Sequence, residues 1–470
     1  MKKVKNALCV VLSLILVLSS APAVSAVSLW DAFWSADEAD DALIMQPGKD
    51  ESERNFSWYM TENTSCAVEI STNFLMLDSK SFTGDIVDDR QGGYFAKVTV
   101  TGLSEGETYY YTYSSGEEKS SVYSFKTVKG DSFSALYMSD IHITLDEEAG
   151  NTKTTACEFA DLLTEVTAKN DINMILSAGD QATDGLLTEY QGLTFSPVSR
   201  SLTFATAIGN HDRKGIAYKY FTNLPNEDEG MISSPQGGNY YFTKGGVLFL
   251  VIDSNNASAT DHRNFIEKAV NENKDFKWRV VMMHHDLYGG SIEHRESENE
   301  LLRLILSPIF DEFNIDLVLT GHSHHYSISH VLYNGEIAEE LSNGETVTNA
   351  QGTVYMVSAS VGRPRDEEGA YSERVAIGMD EFTDRLYNII DFSEDSITVT
   401  TYERGSGEKF AGFTLEKDDN YSAPEIGFFR KLIGRLLGAI GTIYAVFNNI
   451  GRYSDLKEDG FNVDFFETVF

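Results

Sequence analysis

Five short motifs place acidic, amide and imidazole side chains at intervals along the chain, each at the end of an apolar run. They are SDIH at 139–142, AGDQATDG at 178–185, GNHD at 209–212, MHHD at 283–286 and GHSHH at 321–325. Each motif is weak alone, because an ordinary hydrogen-bonded pair explains an isolated Asp or His equally well. Together they supply seven oxygen and nitrogen donors of the kinds that bind metal ions. The set therefore predicts a metal centre.

The first motif lies in the stretch LYMSDIHIT at 136–144. The beginning of this stretch has the apolar character of a buried strand, and side chains along a strand repeat every two residues. We therefore expect Asp140 and His142 to lie on the same face of one strand. A metal ion that needs both residues explains this spacing, and the other four motifs favour that explanation over a structural Asp–His pair.

Strands and helices alternate from Phe133 onwards. Apolar residues spaced three and four apart predict helices at 154–169, 261–273 and 296–314. Buried strands are predicted for INMILSAGD, FATAIGNHD, VLFLVIDS, WRVVMMHHD, IDLVLTGH and GTVYMVSAS. This alternation predicts an α/β layered core, in which the loops beyond the strand ends carry the ligand chemistry.

The region before this core has a different pattern. Short segments such as CAVEIS, YFAKVTVTGL and ETYYYTYS alternate apolar with polar residues, and Gly, Ser, Asn and Asp turns separate them. An all-β sandwich is therefore predicted for residues 42–128.

The order of the five motifs resembles that of the calcineurin-like metallophosphoesterases, which carry D-x-H, GD, GNH[DE], H and GHxH blocks. LSEGETYYYTY followed by SFKT resembles the fibronectin-III-like domain that precedes the catalytic domain of purple acid phosphatases. The resemblance implies a catalytic domain at 133–417, an α/β sandwich of two mixed sheets flanked by helices. The predicted fold class is this domain preceded by an all-β sandwich.

The resemblance also implies a ligand set for two metal ions, with Asp180 bridging them. A mixed imidazole and carboxylate set suits Fe, Mn or Zn. The implied ligands of the first ion are completed by Asp140, His142 and His324, and those of the second by Asn210, His284 and His322.

His211 has another role in the implied mechanism. In the family pattern this histidine is no ligand but lies above the metals, where it stabilises a phosphoryl oxygen or protonates the leaving group. Asp212 is expected to hold its ring. The implied reaction is attack of a metal-bridging hydroxide on phosphorus.

Three features depart from the purple acid phosphatases. Their tyrosine ligand, three residues after the bridging aspartate, is replaced by Thr183, and His142 stands where they have glycine. We therefore expect no tyrosinate colour in an iron form. The proline that often follows the fifth-strand histidine is absent, and His294 and Arg295 in the loop beyond are expected to be surface residues.

The N-terminus predicts export. Lys2, Lys3 and Lys5 precede the apolar run 7–18, and AVSA at 23–26 offers a cleavage site, so residues 1–26 are predicted to be a signal peptide. The expected location is secreted, extracellular or at the cell surface. The formal net charge of −35 argues against nucleic-acid binding through a basic surface.

The C-terminus predicts an amphipathic helix at 425–450 and a loose acidic tail at 455–470. The apolar residues of this predicted helix form one seam, and its glycines lie on another face. Peripheral membrane association, self-association through the glycine face and docking onto the protein all remain open. The seam comprises Phe429, Ile433, Leu436, Ile440, Ile443 and Phe447, and the glycines are Gly434, Gly438 and Gly441.

The resulting functional expectation is an exported dimetal phosphoesterase for small-molecule phosphate esters, with phosphomonoesters favoured. One alternative is a phosphodiesterase or nucleotidase using the same site. A second is a surface-binding protein with a structural metal domain, and a third is a metal-sequestering protein. An intact His211 speaks against a structural role, because a structural metal site has no use for a proton donor.

Overall fold

The fold is given by a computed structural model, which describes residues 41–144, 152–228, 237–289, 297–362, 371–379, 386–427, 431–440 and 443. The predicted signal peptide at 1–26, the acidic tail at 455–470, and His294 and Arg295 lie outside these ranges.

The N-terminal region is all-β, as predicted. Its strands form one sheet in the order β1-β2-β6-β5 and a second in the order β4-β3-β7-β8, in which β9 also pairs with β7. Side chains of both sheets meet in one core that contains Phe56, Trp58, Val68 and Tyr111. The strands are β1 (Ile44–Pro47), β2 (Glu53–Met60), β3 (Cys66–Ser71), β4 (Lys80–Thr83), β5 (Asp85–Asp88), β6 (Tyr94–Thr101), β7 (Thr108–Ser115), β8 (Glu118–Lys119) and β9 (Tyr123–Lys126).

The following region contains two seven-stranded mixed sheets, which confirms the predicted α/β class. The strands are β10 (Phe133–Met138), β11 (Met174–Ser177), β12 (Thr203–Thr206), β13 (Tyr240–Lys244), β14 (Val247–Val251), β15 (Trp278–Met282), β16 (Leu317–Thr320), β17 (Ser327–Ser329), β18 (Val331–Tyr333), β19 (Glu336–Glu339), β20 (Thr346–Thr348), β21 (Val354–Val357), β22 (Val375–Gly378), β23 (Leu386–Phe392), β24 (Ser396–Glu403) and β25 (Lys409–Glu416).

The first of these sheets has the order β12-β11-β10-β23-β24-β25-β20, and the second has the order β13-β14-β15-β16-β21-β17-β22. Strands β18 and β19 form a separate pair. The described helices are α1 (Thr152–Lys169), α2 (Leu187–Leu193), α3 (Ala217–Phe221), α4 (Ala259–Glu272), α5 (Ser297–Glu312) and α6 (431–440), with 3-10 turns at Pro197–Ser201 and Asp212–Lys214.

The two large sheets share one buried core. Tyr137 and Leu176 from the first sheet join Phe249 and Met282 from the second. Strands β14, β16 and β21 of the second sheet are buried along their whole length because both of their faces are covered. On the second sheet the outer cover comes from α4 and α5, whose apolar side chains pack with those of β14, β15 and β16. This packing fixes the strand ends at which the five motifs lie.

A buried ion cluster joins the N-terminal sandwich to the second large sheet. Glu51 pairs with Arg54 at 2.7 Å and with Lys244 of β13, and it accepts a hydrogen bond from the backbone N–H of Val128 at 2.8 Å. Burial alone would raise the pKa of Glu51, but Arg54 and Lys244 outweigh it and lower the pKa to about 2. Ionised Glu51 therefore stabilises this junction.

Substitution Glu51→Gln is expected to lower the free energy of unfolding by about 3 kcal/mol at pH 7, because it leaves two buried cations without their partner. The folded-state pKa lies below the ordinary value of 4.5, so the stabilisation exists above pH 4.5 and is lost as the pH falls towards 2. Urea unfolding at pH 7 and pH 3 measures this difference, which should shrink at the lower pH. Glu118→Gln, at an exposed position in β8, is the control. Equal stability of the Glu51 variant and the parent at pH 7 would contradict the assignment.

Candidate metal centre

The five motifs converge because they follow parallel strands. In the first sheet β10, β11 and β12 run parallel, and their loops carry Asp140 and His142, then Asp180, then Asn210. In the second sheet β15 and β16 run parallel, and the loops after them carry the remaining ligand candidates. These are His284, His322 and His324.

Asp140 and Asp180 each have one carboxylate oxygen that accepts a backbone hydrogen bond and a second oxygen that faces the centre. Oδ2 of Asp140 accepts the backbone N–H of His322 at 3.0 Å, and Oδ1 of Asp180 accepts that of His211 at 2.8 Å. The other oxygens, Oδ1 of Asp140 and Oδ2 of Asp180, face the imidazoles. These hydrogen bonds from backbone groups hold both carboxylates in an orientation suited to binding a metal ion.

The first donor group gathers around Asp140. Its Oδ1 lies 3.2 Å from Nε2 of His324 and 3.8 Å from Nε2 of His142. The two Nε2 atoms are 3.2 Å apart, and Oδ2 of Asp180 is 3.7 Å from that of His142. Donor atoms of Asp140, His142 and His324 therefore lie within 4.8 Å of one another, as expected for a metal site.

The second donor group gathers around His284. Its Nε2 lies 2.9 Å from Oδ1 of Asn210, 3.3 Å from Nδ1 of His322 and 3.3 Å from Oδ2 of Asp180. The same oxygen of Asp180 thus faces both groups. A carboxylate placed between two donor groups would suit two metal ions that share one ligand.

The orientation of His284 is set by its other nitrogen. Nδ1 lies 2.9 Å from the carbonyl oxygen of Ala178, and a carbonyl can only accept, so Nδ1 carries the proton. Nε2 is then the nitrogen directed into the centre. A carbonyl behind a ligating imidazole commonly fixes the ring in this way.

Five of the seven ligand candidates have a left-handed backbone, which costs energy for residues other than glycine. The prediction that Asp140 and His142 share a strand face is wrong, because β10 ends at Met138. Their side chains converge through loop conformation instead. The φ angles are 54° at Asp140, 51° at His142, 53° at Asp180, 69° at His322 and 61° at His324.

Two motif glycines are required by close approach to the carboxylates. A Cβ added at Gly209 would lie 2.0 Å from Oδ1 of Asp180, and one added at Gly321 would lie 2.4 Å from Oδ2 of Asp140. Neither position can accept a side chain unless the ligand loops shift. The glycines of GNHD and GHSH therefore serve the geometry of the centre.

The electrostatics of the centre favour ionised carboxylates. Burial would raise the pKa of Asp140 and Asp180, but the neighbouring histidines, His324 and His284 respectively, hold both below the usual value. Burial lowers the pKa of His142 to about 3, so its ring is neutral. Burial would also lower that of His284, yet Asp180 raises it to about 10. His284 must therefore lose a proton before it can bind a cation.

Two buried polar atoms without hydrogen-bond partners also indicate that these residues fit a metal centre. Oδ1 of Asp140 and Nδ1 of His142 are buried and have no hydrogen-bond partner among the described residues. Buried polar atoms without partners are costly. For Asp140, a bound cation would remove that cost.

His211 lies at the edge of this centre. It is half-buried, its ring meets that of His142 edge to face at 4.7 Å, and it offers a donor atom within 4.8 Å of those of His142 and Asp180. Its Nδ1 lies 2.7 Å from the carbonyl oxygen of Thr183. That carbonyl accepts a hydrogen bond from the Nδ1–H group, which leaves Nε2 for the centre.

Asp212 does not hold the His211 ring, so that prediction is wrong. Its buried carboxylate accepts hydrogen bonds from the backbone N–H groups of Gly209 at 2.9 Å and Ala182 at 3.0 Å, and from the hydroxyl of Tyr190 at 2.9 Å. Burial and the charge of Asp180 raise the pKa of Asp212 to about 7. Asp212 therefore ties the GD loop to the GNHD loop and acts as a positioning residue.

Sequence reasoning missed two neighbours of the centre. Nζ of Lys214 lies 2.8 Å from Nδ1 of His211 and donates to the Thr183 carbonyl at 3.0 Å. The ring of His285 packs 4.4 Å from that of His322, with its Nδ1 2.9 Å from Oγ of Ser254. A basic residue three positions after the GNHD histidine was the available signal for Lys214.

Two segments of the chain match known protein families. Residues 133–326 match the family model of calcineurin-like phosphoesterases, and residues 41–127 match that of the purple acid phosphatase N-terminal domain. The chain therefore contains a calcineurin-like phosphoesterase domain preceded by a purple acid phosphatase N-terminal domain, which confirms the resemblance of the motifs.

Parts of the chain are also similar to individual proteins. An uncharacterised protein of Mycobacterium tuberculosis is 28% identical over 181 residues, 32% of this chain and 34% of that protein. An Fe(3+)–Zn(2+) purple acid phosphatase of Arabidopsis thaliana is 24% identical over 192 residues, 39% of this chain and 38% of the relative. The chain thus spans little more than a third of the length of these relatives.

The fold also matches a solved structure. A purple acid phosphatase from yellow lupin (Lupinus luteus) seeds superposes with a TM-score of 0.67 at 14% identity, over 82% of this chain and 77% of that one. At this identity the match concerns the fold alone, which is the two-part architecture described above.

Proposed function

We propose that this protein is an exported, metal-dependent phosphoric ester hydrolase with two metal ions, acting on small-molecule phosphate esters and favouring phosphomonoesters. The observation that carries this proposal is the position of Asp180, whose Oδ2 faces His142 at 3.7 Å and His284 at 3.3 Å. The homology of the two domains supports the reaction class.

The proposed ligand assignment follows the two donor groups. Asp180 is the shared ligand, and Fe, Mn or Zn suits the mixed imidazole and carboxylate set. When bound, two such ions activate water as a nucleophile and neutralise charge on the phosphoryl group. The first ion is assigned to Asp140, His142 and His324, and the second to Asn210, His284 and His322.

We assign proton donation to His211. The Thr183 carbonyl holds its Nδ1, so the ring is fixed and Nε2 is the nitrogen available to the leaving oxygen. Asp212 supports this histidine indirectly, through the backbone of the two loops that it joins. Protonation of the leaving oxygen matters most when that oxygen is strongly basic.

The preference for monoesters rests on the N-terminal domain, which resembles that of purple acid phosphatases. Hydrolysis rates of p-nitrophenyl phosphate and bis(p-nitrophenyl) phosphate by the chain without residues 1–26 test it, with Mn, Fe or Zn supplied. We expect faster turnover of the monoester. Faster diester turnover would move the function to a phosphodiesterase or nucleotidase on the same residues, whereas two bound metals without hydrolysis would favour the surface-binding or metal-sequestering alternative.

Iron loading should give no tyrosinate colour. Thr183 stands where purple acid phosphatases have their tyrosine ligand, and its backbone carbonyl is occupied by His211 and Lys214. The visible spectrum of the chain loaded with Fe(III) checks this prediction. A purple band that depends on a tyrosine would overturn the ligand assignment.

Export and domain boundaries belong to the same proposal. Residues 1–26 are proposed to be removed on secretion, which gives an extracellular or cell-surface location. The sandwich is proposed to be a domain at 42–128 and the phosphoesterase a domain at 133–417. With a formal net charge of −35, small phosphate esters are better substrates than polynucleotides, whose own charge the surface would repel.

A further inference from the structure

The glycine face of the C-terminal helix α6 packs against the phosphoesterase domain. A Cβ added at Gly438 would lie 3.3 Å from Cβ of Ala259 in α4, and one added at Gly434 would lie 3.5 Å from Cβ of Pro308 in α5. Gly438 is buried. The glycine face is therefore occupied by the chain itself, and self-association through that face is excluded while α6 is docked.

The opposite face of α6 is apolar and exposed. Its side chains recur at steps of three and four, which puts them on one stripe. Exposed aliphatic side chains on one stripe mark an interaction surface when they are contiguous. The exposed fractions are 44% for Leu432, 57% for Ile433, 60% for Leu436 and 60% for Ile440, and Ile443, three residues beyond the end of α6, is 59% exposed.

Positive charge lies on the side of α6 away from the stripe, in an otherwise acidic chain. Lys431 and Arg435 are exposed, and together with Arg263 and Glu312 they line a cavity of about 160 Å³ between α6 and helices α4 and α5. Residues 426–454 contain four basic residues and no acidic one, although the whole chain carries −35. Charges beyond about 8–10 Å are largely screened, so the charge near α6 decides what approaches it.

We propose that the exposed face of α6 binds the surface of an anionic lipid bilayer, with the aliphatic stripe inserted among the acyl chains and Lys431 and Arg435 near the headgroup phosphates. An amphipathic helix with apolar residues on one face and basic residues on its polar face binds membranes in this way. None of the described helices has the length and hydropathy to cross a membrane, so α6 would lie in the interface.

A second copy of the chain fits this surface less well. Stable protein–protein interfaces use about 20–30 residues on each side, whereas the stripe offers five side chains. A bilayer requires no shape complementarity, and its phosphates complement the positive charge.

Vesicle flotation of the chain without residues 1–26 tests the proposal. One set of vesicles is phosphatidylcholine alone, and the other contains about a quarter phosphatidylglycerol. The test variant combines Ile433→Ser, Leu436→Ser and Ile440→Ser, and Ile337→Ser at an exposed position in β19 is the matched control. A second variant combines Lys431→Gln and Arg435→Gln.

We expect the parent chain and the control to float with the anionic vesicles and the serine variant to bind at least tenfold less. The glutamine variant should lose the preference for anionic over neutral vesicles. The proposal would be overturned if the parent chain failed to float or if the serine variant bound equally well. It would also be overturned if the parent chain did not bind vesicles but formed a dimer that the serine variant does not form. Equal parent binding to both vesicle types would overturn the role of the basic residues. Phosphatase activity of all variants is measured separately, because α6 lies outside the metal centre.

Discussion

Asp180→Ala is expected to abolish phosphatase activity, with kcat reduced at least about 10³-fold. Asp180 offers the oxygen that faces both donor groups, so its loss removes a ligand from each of the two proposed metal ions. Metal ions in such sites supply several kcal/mol of transition-state stabilisation, and each 1.36 kcal/mol corresponds to a factor of ten. Metal analysis of the purified variant should find fewer than two ions per chain.

The control for this variant is Asp171→Ala. Asp171 is exposed and precedes β11, whereas Asp180 follows the same strand. The control therefore removes a carboxylate near the opposite end of that strand, away from the metal centre. Its activity and metal content should match those of the parent. An Asp180→Ala variant that retains two ions and full activity would exclude the bridging role.

Loss of the His211 side chain is expected to reduce kcat by about 10²–10⁴-fold without loss of metal, because His211 is proposed to move a proton and not to bind an ion. The measurement is steady-state kinetics of His211→Ala on two monoesters, together with metal analysis. The loss should be greater for phenyl phosphate than for p-nitrophenyl phosphate, because phenolate is the more basic leaving group and gains more from a proton.

The leaving-group comparison separates this role from others. If His211 only stabilised a phosphoryl oxygen, both esters would lose the same factor. If His211 were a metal ligand, the variant would lose an ion as well. Lys214 lies 2.8 Å from Nδ1 of this ring, so Lys214→Ala would be an informative partner in a double-mutant cycle.

The sequence predicted the architecture because the relevant signals are local. Apolar runs that end in polar motifs placed the central strands, and helical periodicity placed α1, α4 and α5 to within a few residues. The two-part fold followed from the change in pattern near residue 130. Parallel strands deliver their following loops to one edge of a sheet, so the five motifs could be expected to meet there, whereas the division of the ligands into two groups came from the family resemblance.

The local geometry could not be predicted in the same way. Asp140 and His142 converge through positive φ angles after β10 has ended, and strand alternation cannot describe such a loop. Asp212 was predicted to hold the adjacent ring, yet it accepts hydrogen bonds from Gly209 and Ala182, whose positions depend on how two loops pack. Tertiary contacts between loops leave no periodic signal in a sequence.

The C-terminal helix also combines features that the sequence predicted with contacts that it could not predict. Its apolar seam and glycine face were visible in the sequence, but three arrangements remained open. The contacts of Gly434 and Gly438 with α5 and α4 decide that the glycine face is docked and the aliphatic stripe is outward.

Activity as a function of metal supplied tests the central claim most directly. The chain is stripped with a chelator and then titrated with Mn²⁺, and hydrolysis of p-nitrophenyl phosphate is measured at each ratio of metal to protein. If Asp180 joins two sites, activity should be absent in the stripped chain and should reach its plateau at two ions per chain. Full activity without metal, or a plateau at a single ion, would contradict the two-metal account.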